Sequence, residues 1–586
     1  MTIAEPASPD QRLAPPEQHA TGRSPLVTPA IMLGLYALAA LLLLLRLGQH
    51  PAYAFNWEPY TAYGLFAFWD HPSFHIFRAT DGLITDSSFS PFVILPGWLA
   101  FTLGGVGLTS MRVATALIAA GAVPLLWWTG RHFIGPRAAG LAALLLALSP
   151  VYLLYGRTAT LVALSLVPAL ITVEALRRFL HHPGDRRWLL FLQAALILNT
   201  YGYAPLRFLW LVAVAFLGLE AARRPLEWPA LRNAFFITLL VPWLGLSLLA
   251  LRDPATALAL YFQGRGEHVF GLSFTTSQYG FYIRQDPSVP DPGPPQGSPL
   301  VLAIRLITQN LGDFTNLLLD RHTIPALADA GTEHGRLYPL FLAPFFALGL
   351  LLAAFRARRR LEDLLLLGLA AAWTLPLLLT SKVYVGRLIF FLPILCLLVA
   401  SGLTRPTQWL ADRIAARSPQ QRPTHAGAIA TTLVATLLLA AVASATWRDY
   451  RQSPLLEPDA VVAAILRNAA TPDSPAIALI LRTDEGDDPT HGVGEATQIA
   501  ALRLSLDALY QPISLYSPSA TPTPTNDPRR IPLYYGNLLA LLDNPDDTRL
   551  PCNVTYYIAS YALDQFQTRY APRRATCGEP RFVVLP

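Results

Sequence analysis

Apolar stretches long enough to cross a bilayer recur along most of the chain, separated by short polar turns. A spanning helix needs about 17 to 25 mostly apolar residues. Runs of this kind predict membrane helices at 26–47, 111–130, 137–155, 158–180, 188–203, 206–222, 232–251, 337–355, 361–380, 384–403 and 427–446. The pattern predicts a polytopic α-helical membrane protein with about 11 to 13 spans.

One further run, 91–108, is interrupted by Pro91, Pro96 and several glycines. If it does not span, the arginine-rich loops all fall on the side of the N-terminal tail, which the positive-inside rule makes cytoplasmic. These loops lie at 131–137, 177–187, 223–232, 356–360 and 405–422. We therefore interpret 91–108 as a juxtamembrane helix in the outer interface.

This topology divides the chain into three parts. The composition of residues 1–25 predicts a disordered cytoplasmic tail, and this segment does not resemble a signal peptide. Residues 26–447 form the membrane domain, with a first outer loop at 48–110 and a long outer loop at 252–336. Residues 448–586 alternate short apolar runs with helix-like segments at 496–509 and 563–570, which predicts a small soluble extracytoplasmic α/β domain. Cys552 and Cys577 lie in this domain and could pair if it is outside the cytoplasm.

The composition supports the membrane interpretation and excludes other classes. Mean hydropathy is +0.39 and charged residues make up 14% of the chain, which is outside the soluble globular range. The net charge of +6 comes from arginine, since Lys382 is the single lysine. These arginines lie in short loops and form no continuous basic face, so no nucleic acid partner is expected. Neither a Walker motif nor a glycine-rich phosphate loop after a strand is present, which argues against ATP hydrolysis and a Rossmann nucleotide site.

The first outer loop contains the carboxylates that could carry chemistry. Glu58 lies about ten residues after the first apolar run, at the headgroup plane, where ionised groups are costly and tend to be kept for function. Such a carboxylate can act as a general base toward a hydroxyl or an amine. Asp86 precedes the juxtamembrane helix and could place a second carboxylate opposite Glu58. The alternative is that loop carboxylates are simply solvated. His71 and His75 are spaced to bind a metal if helical, but this spacing is a weak signal and interfacial hydrogen bonding is the favoured explanation.

Four arginines break the rule that positive residues face inward. Arg112, Arg157, Arg207 and Arg387 each lie at the outer end of a predicted span. A guanidinium binds phosphate through a planar fork of donors, so these arginines are candidates for a donor phosphate. Their alternative role is to snorkel to the interface. The aromatic candidates for substrate contact are Trp57, Tyr60, Tyr201 and Tyr203.

Several short motifs occur in a familiar order. After the early acidic residue come Ser90-Pro91, then Gly107 to Arg112, then Gly130 to Arg137. Leu148-Ser149-Pro150 leads into Tyr155-Gly156-Arg157, and Asn199 to Tyr203 precedes Arg207. Over residues 26–405 this order resembles the GT-C glycosyltransferases of the dolichyl-phosphate-mannose protein mannosyltransferase type, the glycosyltransferase 39 family, which includes the bacterial aminoarabinose transferases.

The resemblance implies transfer of a sugar from a polyprenyl phosphate to an acceptor on the outer membrane face. The acidic pair of the family, commonly Asp-Glu, reads Trp57-Glu58 here, so the implied base is Glu58 or Asp86. Arg157 and Arg207 match the implied phosphate ligands. No cofactor is required, although a divalent metal is compatible with the chemistry. The acceptor is a lipid, a glycan or a protein. The alternatives are a membrane transporter or lipid flippase, and a catalytically inactive scaffold of the same fold.

Overall fold

The computed structural model describes most of the predicted membrane domain and part of the C-terminal domain. The described residues are 27–45, 47, 58–70, 90–202, 206, 208–249, single positions between 304 and 315, 339–379, 388–417, 424–452, 476–480, 510–514, 531–535, 538–559 and 562–585. The predicted tail 1–25 and nearly all of the long outer loop 252–336 lie outside these ranges.

Helices account for the described membrane domain. In chain order they are α1 Val27–Leu44, α2 Glu58–Asp70, α3 Pro91–Gly104, α4 Leu108–Ala120, α5 Ala122–Ile134, α6 Pro136–Ala147, α7 Pro150–Arg157, α8 Leu161–Leu164, α9 Leu166–His181, α10 Arg186–Thr200, α11 Phe208–Arg223, α12 Trp228–Leu249, α13 Ala343–Arg356, α14 Leu361–Leu379, α15 Phe391–Arg417 and α16 Thr424–Gln452. Each long helix falls on a predicted apolar run. Most of their buried residues form one large core, mainly of alanine, leucine and valine, and a smaller cluster lies between α2, α3 and α4.

Two neighbouring runs differ in their continuity. Helices α4 and α5 join through Gly121, which has right-handed helical geometry, into one helix from Leu108 to Ile134 that is long and apolar enough to cross a membrane. Helices α6 and α7 are bent by 59° within the single predicted span 137–155. Ser149 caps α7 and Pro150 occupies its first turn, so the chain restarts its helix there. Among the described residues these are the segments of spanning length and composition, and the total number of spans stays a prediction.

The first outer loop contains a helix that the sequence interpretation did not include. Helix α2 buries Ala62, Leu65 and Phe66 against α3 and against Met111. Helix α3 occupies the predicted juxtamembrane run, begins at the Ser90 cap and ends where Gly105 adopts a φ of +82°. Ser90 accepts a hydrogen bond from the Phe92 amide, which satisfies an otherwise unpaired donor of the first turn.

Helices α13 and α15 approach each other closely at two glycines. A Cβ added at Gly349 would overlap the carbonyl oxygen of Leu398, and one added at Gly402 would overlap the carbonyl oxygen of Phe345. Close approach of backbones through small residues is a main source of helix association in membranes, where lipid tails are as apolar as leucine. The glycines therefore set the distance between these helices.

The described C-terminal domain is a five-stranded parallel sheet with the order β2-β3-β1-β4-β5. Its elements are β1 Ala476–Ile480, β2 Tyr510–Ser514, β3 Ile531–Tyr535, α17 Leu538–Leu542, β4 Val554–Ala559, α18 Leu563–Tyr570, α19 Arg574–Cys577 and β5 Arg581–Leu585. The central strand β1 is buried on both faces, as expected for a parallel sheet. Helices α17 and α18 pack on one face through Leu538, Phe566 and Tyr570. Cys552 and Cys577 form a disulfide between the start of β4 and the end of α19.

The α/β architecture of this domain agrees with the sequence interpretation, and α18 matches the helix predicted at 563–570. The predicted helix at 496–509 lies outside the described residues. Strands β3 and β5 were not predicted. Both are five residues long, and β3 contains a proline, which weakens the strand signal.

Candidate functional site

Glu58 begins helix α2 and is completely buried. Pro59 follows it and suits the first turn, where an amide hydrogen has no helical partner. A carboxylate in this position needs compensating donors, because burying an unpaired charge is very costly. The structure provides these donors from two other segments of the chain.

The first donor is Arg112, which lies in the first turns of α4 and is also completely buried. Its Nε donates to Glu58 Oε1 at 2.8 Å and its Nη2 donates to Glu58 Oε2 at 2.7 Å. This is the two-pronged geometry in which guanidinium and carboxylate match best. Arg112 Nη1 also donates to the carbonyl of Leu47 at 3.3 Å. The pair therefore links the end of α1, the start of α2 and the start of α4.

The second donor is a backbone amide in the segment between α7 and α8. The Ala159 N–H donates to Glu58 Oε1 at 2.7 Å. Thr158, Ala159 and Thr160 are all buried, and Thr158 adopts an extended backbone. Glu58 therefore accepts hydrogen bonds from a charged side chain and from a backbone amide together.

Arg157 ends α7 and reaches back to the end of α1. Its Nη2 donates to the carbonyls of Leu42 at 2.8 Å and Leu45 at 2.9 Å, and 7% of the residue is exposed. The last carbonyls of a helix have no partners within it and carry partial negative charge, so a guanidinium is favourable there. Arg157 therefore fixes α7 to the same end of α1 that Arg112 contacts.

Two further outer segments meet beside this network. The Ser90 hydroxyl, whose oxygen caps α3, donates to the carbonyl of Tyr201 at 2.7 Å. Tyr201 follows α10 in the turn that the sequence placed on the outer face. The described parts of three predicted outer segments, around residues 58–90, 155–159 and 201, are thus linked by hydrogen bonds to one another or to the end of α1.

No protein-family model matches the chain, and no curated protein sequence matches it. Solved structures do match the chain. The archaeal oligosaccharyltransferase AglB from Archaeoglobus fulgidus, in complex with an inhibitory peptide and a dolichol-phosphate, matches 81% of this chain with a TM-score of 0.50 and 15% identity. The chain has the GT-C fold. It spans 64% of the AglB chain. ArnT from Cupriavidus metallidurans, bound to undecaprenyl phosphate, matches 89% of this chain and 91% of its own at 15% identity, with a TM-score of 0.45.

The likeness confirms the predicted GT-C resemblance at the level of the fold, which is a polytopic membrane fold with a C-terminal domain. Within it the structure brings Glu58, Arg112 and Arg157 together and places Tyr201 nearby. The other residues predicted for catalysis or for phosphate, substrate or metal binding lie outside the described residues. They are Trp57, His71, His75, Asp86, Tyr203, Arg207 and Arg387. The Tyr60 side chain is also outside the described parts.

The contacts of Glu58 and Arg112 add a condition to their predicted roles in the GT-C site. As a base, Glu58 would have to leave Arg112 and the Ala159 amide before it could take a proton. To bind the donor phosphate, Arg112 would have to exchange the Glu58 carboxylate for it. Without such an exchange the pair positions the outer segments. The roles themselves stay predictions.

Sequence reasoning missed the backbone partners in this site. The Ala159 amide and the Leu47 carbonyl carry no side-chain signal, so only the fold reveals them. The Ser90 cap had a signal, because Ser-Pro before an apolar run is typical of a helix start, whereas the contact of Ser90 with Tyr201 had none. Within the described ranges, no cluster of three or more histidine, cysteine or acidic residues could hold a metal ion.

Proposed function

We propose that this protein is an integral-membrane glycosyltransferase that moves a sugar from a polyprenyl-phosphate donor to a lipid, glycan or protein acceptor. The observation that carries the proposal is the convergence of Glu58, Arg112 and Arg157 at one end of a GT-C fold. AglB, which shares the fold, was solved with a dolichol-phosphate and a peptide. A buried acidic and basic network at a membrane interface fits a polar reaction on a lipid-linked substrate.

The proposed reaction is a direct displacement at the anomeric carbon. An acceptor hydroxyl or amine forms the new glycosidic bond, and the bond from the anomeric carbon to the phosphate oxygen breaks. A carboxylate, Glu58 or Asp86, takes the acceptor proton. The polyprenyl phosphate leaves with the bonding electrons, and arginines stabilise the charge that builds up on it. Arg157, Arg207 and Arg387 are proposed for this role, together with Arg112 if it exchanges partners.

We place this chemistry on the extracytoplasmic face, together with the C-terminal domain. The arginine distribution supports this orientation, since the arginine-rich loops share the opposite side. The disulfide between Cys552 and Cys577 also supports it, because structural disulfides persist in oxidising compartments.

The test is sugar transfer from a panel of radiolabelled polyprenyl-phosphate sugars in membranes with matched protein levels. The variants are Glu58→Gln, Asp86→Asn and Arg112→Met, with Glu227→Gln as an exposed carboxylate control. If Glu58 is the base, Glu58→Gln loses about 100-fold or more in rate, and its loss exceeds that of Arg112→Met. If Glu58 positions the loops and Asp86 is the base, Glu58→Gln and Arg112→Met lose similar activity and stability, while Asp86→Asn is inactive at unchanged stability.

The buried pair also favours one rival, an inactive scaffold of the same fold. A carboxylate held permanently by Arg112 would organise the outer segments without catalysing transfer. In that case the wild type transfers none of the donors, although its unfolding still depends on the pair. Wild-type transfer from any donor of the panel excludes this rival.

A further inference from the structure

A cavity of about 1010 Å³ lies among the arginine-rich segments. Its basic lining residues are Arg131, His132, Arg177, Arg178, His181, His182, Arg356, Arg360 and Arg405. They come from four of the loops that the charge distribution predicts to be cytoplasmic. Because the loops line one cavity, they lie at one end of the helices.

This end is far from the Glu58 network. Arg112 and Arg131 lie 19 residues apart on the continuous helix from Leu108 to Ile134. At 1.5 Å per residue, they are separated by about 28 Å along the helix axis, close to the thickness of the hydrocarbon core of a bilayer. The cavity therefore belongs to the opposite membrane surface and not to the proposed transfer site.

The acidic residues around the cavity neutralise only part of its charge. Glu174 binds Arg177 at 2.9 Å and Arg178 at 2.6 Å. Asp363 lies 3.4 Å from both Arg356 and Arg405. Glu362 binds His181 at 2.9 Å.

Among the described residues, six arginines thus face three carboxylates, which leaves three positive charges when the histidines are neutral. An excess of this sign favours an anionic ligand.

Several of the guanidiniums are held in place before any ligand binds. The Arg131 guanidinium lies 3.7 Å from the ring centre of Trp128, and that of Arg178 lies 4.4 Å from the ring centre of Trp188. Stacking on an aromatic face holds the planar group while its edge keeps N–H donors. Arg405 Nη1 is buried and has no hydrogen-bond partner among the described residues. A buried donor of this kind is costly unless an acceptor reaches it.

Apolar side chains are exposed on the segments that line the cavity. Phe355 precedes the lining residue Arg356 and is 79% exposed, and Leu190 follows Trp188 closely and is 69% exposed. Trp409, next to the lining residue Gln408, is 56% exposed. A soluble phosphate would need no such surface, whereas a phospholipid has acyl chains beside its headgroup.

We propose that this cavity binds the phosphate headgroup of an anionic phospholipid in the leaflet on the arginine-rich side of the membrane. Basic pockets between membrane helices on the cytoplasmic side are suited to such headgroups. The unbalanced arginines bind the phosphate oxygens, and the exposed apolar residues contact the acyl chains. The site is separate from the transfer reaction, so it holds whether or not the proposed glycosyltransferase activity is found.

The test uses the full chain, stripped of lipid in detergent, and measures binding of radiolabelled phosphatidylglycerol and cardiolipin, with phosphatidylcholine as the neutral lipid and glycerol phosphate as the soluble anion. The test variant is Arg356→Gln/Arg360→Gln. The matched control is Arg358→Gln/Arg359→Gln, which removes the same charge from the same loop at exposed positions that do not line the cavity. Loss of two charges at about 1 kcal/mol each predicts about 30-fold weaker binding of anionic lipid to the test variant.

The proposal is supported if the wild type and the control prefer anionic lipid over phosphatidylcholine and the test variant loses this preference. Arg356→Lys/Arg360→Lys, which keeps the charge, should recover most of the binding and so guards against a folding defect. Equal losses in the test variant and the control would overturn the proposal, since they would indicate general surface attraction. Glycerol phosphate binding as tightly as the lipids would overturn the lipid assignment, as would absence of any preference for anionic lipid in the wild type.

Discussion

The buried pair between Glu58 and Arg112 should contribute to stability far more than a surface ion pair. Both residues are completely buried, and two of the guanidinium nitrogens contact the carboxylate within 2.8 Å. Removing one member leaves the other charge buried without its counterion, which costs about 3 to 5 kcal/mol. Glu58→Gln and Arg112→Met should each destabilise the protein by about this amount. The double variant leaves neither charge, so it should cost about 2 to 3 kcal/mol less than the sum of the single changes.

The measurement is a double-mutant cycle on detergent-solubilised protein, with unfolding followed by tryptophan fluorescence. The reference pair is Arg569–Asp543, whose side chains are 30% and 53% exposed at 2.9 Å. Screening by water should reduce its coupling to about 0 to 1 kcal/mol. The reasoning is refuted if Glu58→Gln destabilises no more than Asp543→Asn, or if the effects of Glu58→Gln and Arg112→Met are simply additive.

Three further predictions concern packing, the disulfide and pH. Gly402→Ala should destabilise the membrane domain, because the new Cβ overlaps a backbone carbonyl of the facing helix. In the control Gly34→Ala the new Cβ meets no atom within 4 Å, so this change should be neutral or slightly stabilising. Thermal unfolding compares the two variants. Replacing Cys552 and Cys577 with serine opens a loop with a sequence separation of 25 and should lower the free energy of unfolding by about 3 to 4 kcal/mol. Denaturant unfolding of the wild type and the variant, with and without reductant, measures this difference. A hydrogen bond from the Arg549 side chain lowers the pKa of Asp547 below its ordinary value of 3.8. The stability that ionised Asp547 contributes is therefore present above pH 3.8 and is lost as the pH falls through the lowered pKa. Acid unfolding of Asp547→Asn should show a smaller loss of stability over this pH range than the wild type.

Local sequence determined the helices because each depends on neighbouring residues. The apolar runs place α1, α10, α11 and α14 within about three residues of their observed ends. The break between α6 and α7 also has a local cause, since a serine cap and a proline are visible at 149–150. Helix α2 was missed because it lies in a loop outside the long apolar runs, and it buries its apolar residues by packing on α3.

The sheet of the C-terminal domain shows where local signals end. Strand β1 was visible as an apolar run, but its neighbours β3 and β4 come from residues more than 50 positions later in the chain. Parallel strands pair only across long connections, so their order follows from packing rather than from any single segment. Strands β3 and β5 were missed because each is only five residues long and β3 contains a proline.

The sequence alone determined which residues are chemically capable of a role and on which side of the membrane they are expected. It identified Glu58, Arg112 and Arg157 separately, because each is an ionisable residue predicted near the outer membrane surface. The tertiary structure decided that Arg112 binds Glu58 from 54 residues away and that Arg157 binds the end of α1 from up to 115 residues away. Such pairings are absent from the pattern along the chain, because burial requires each charge to find a partner wherever the fold brings one within hydrogen-bond distance.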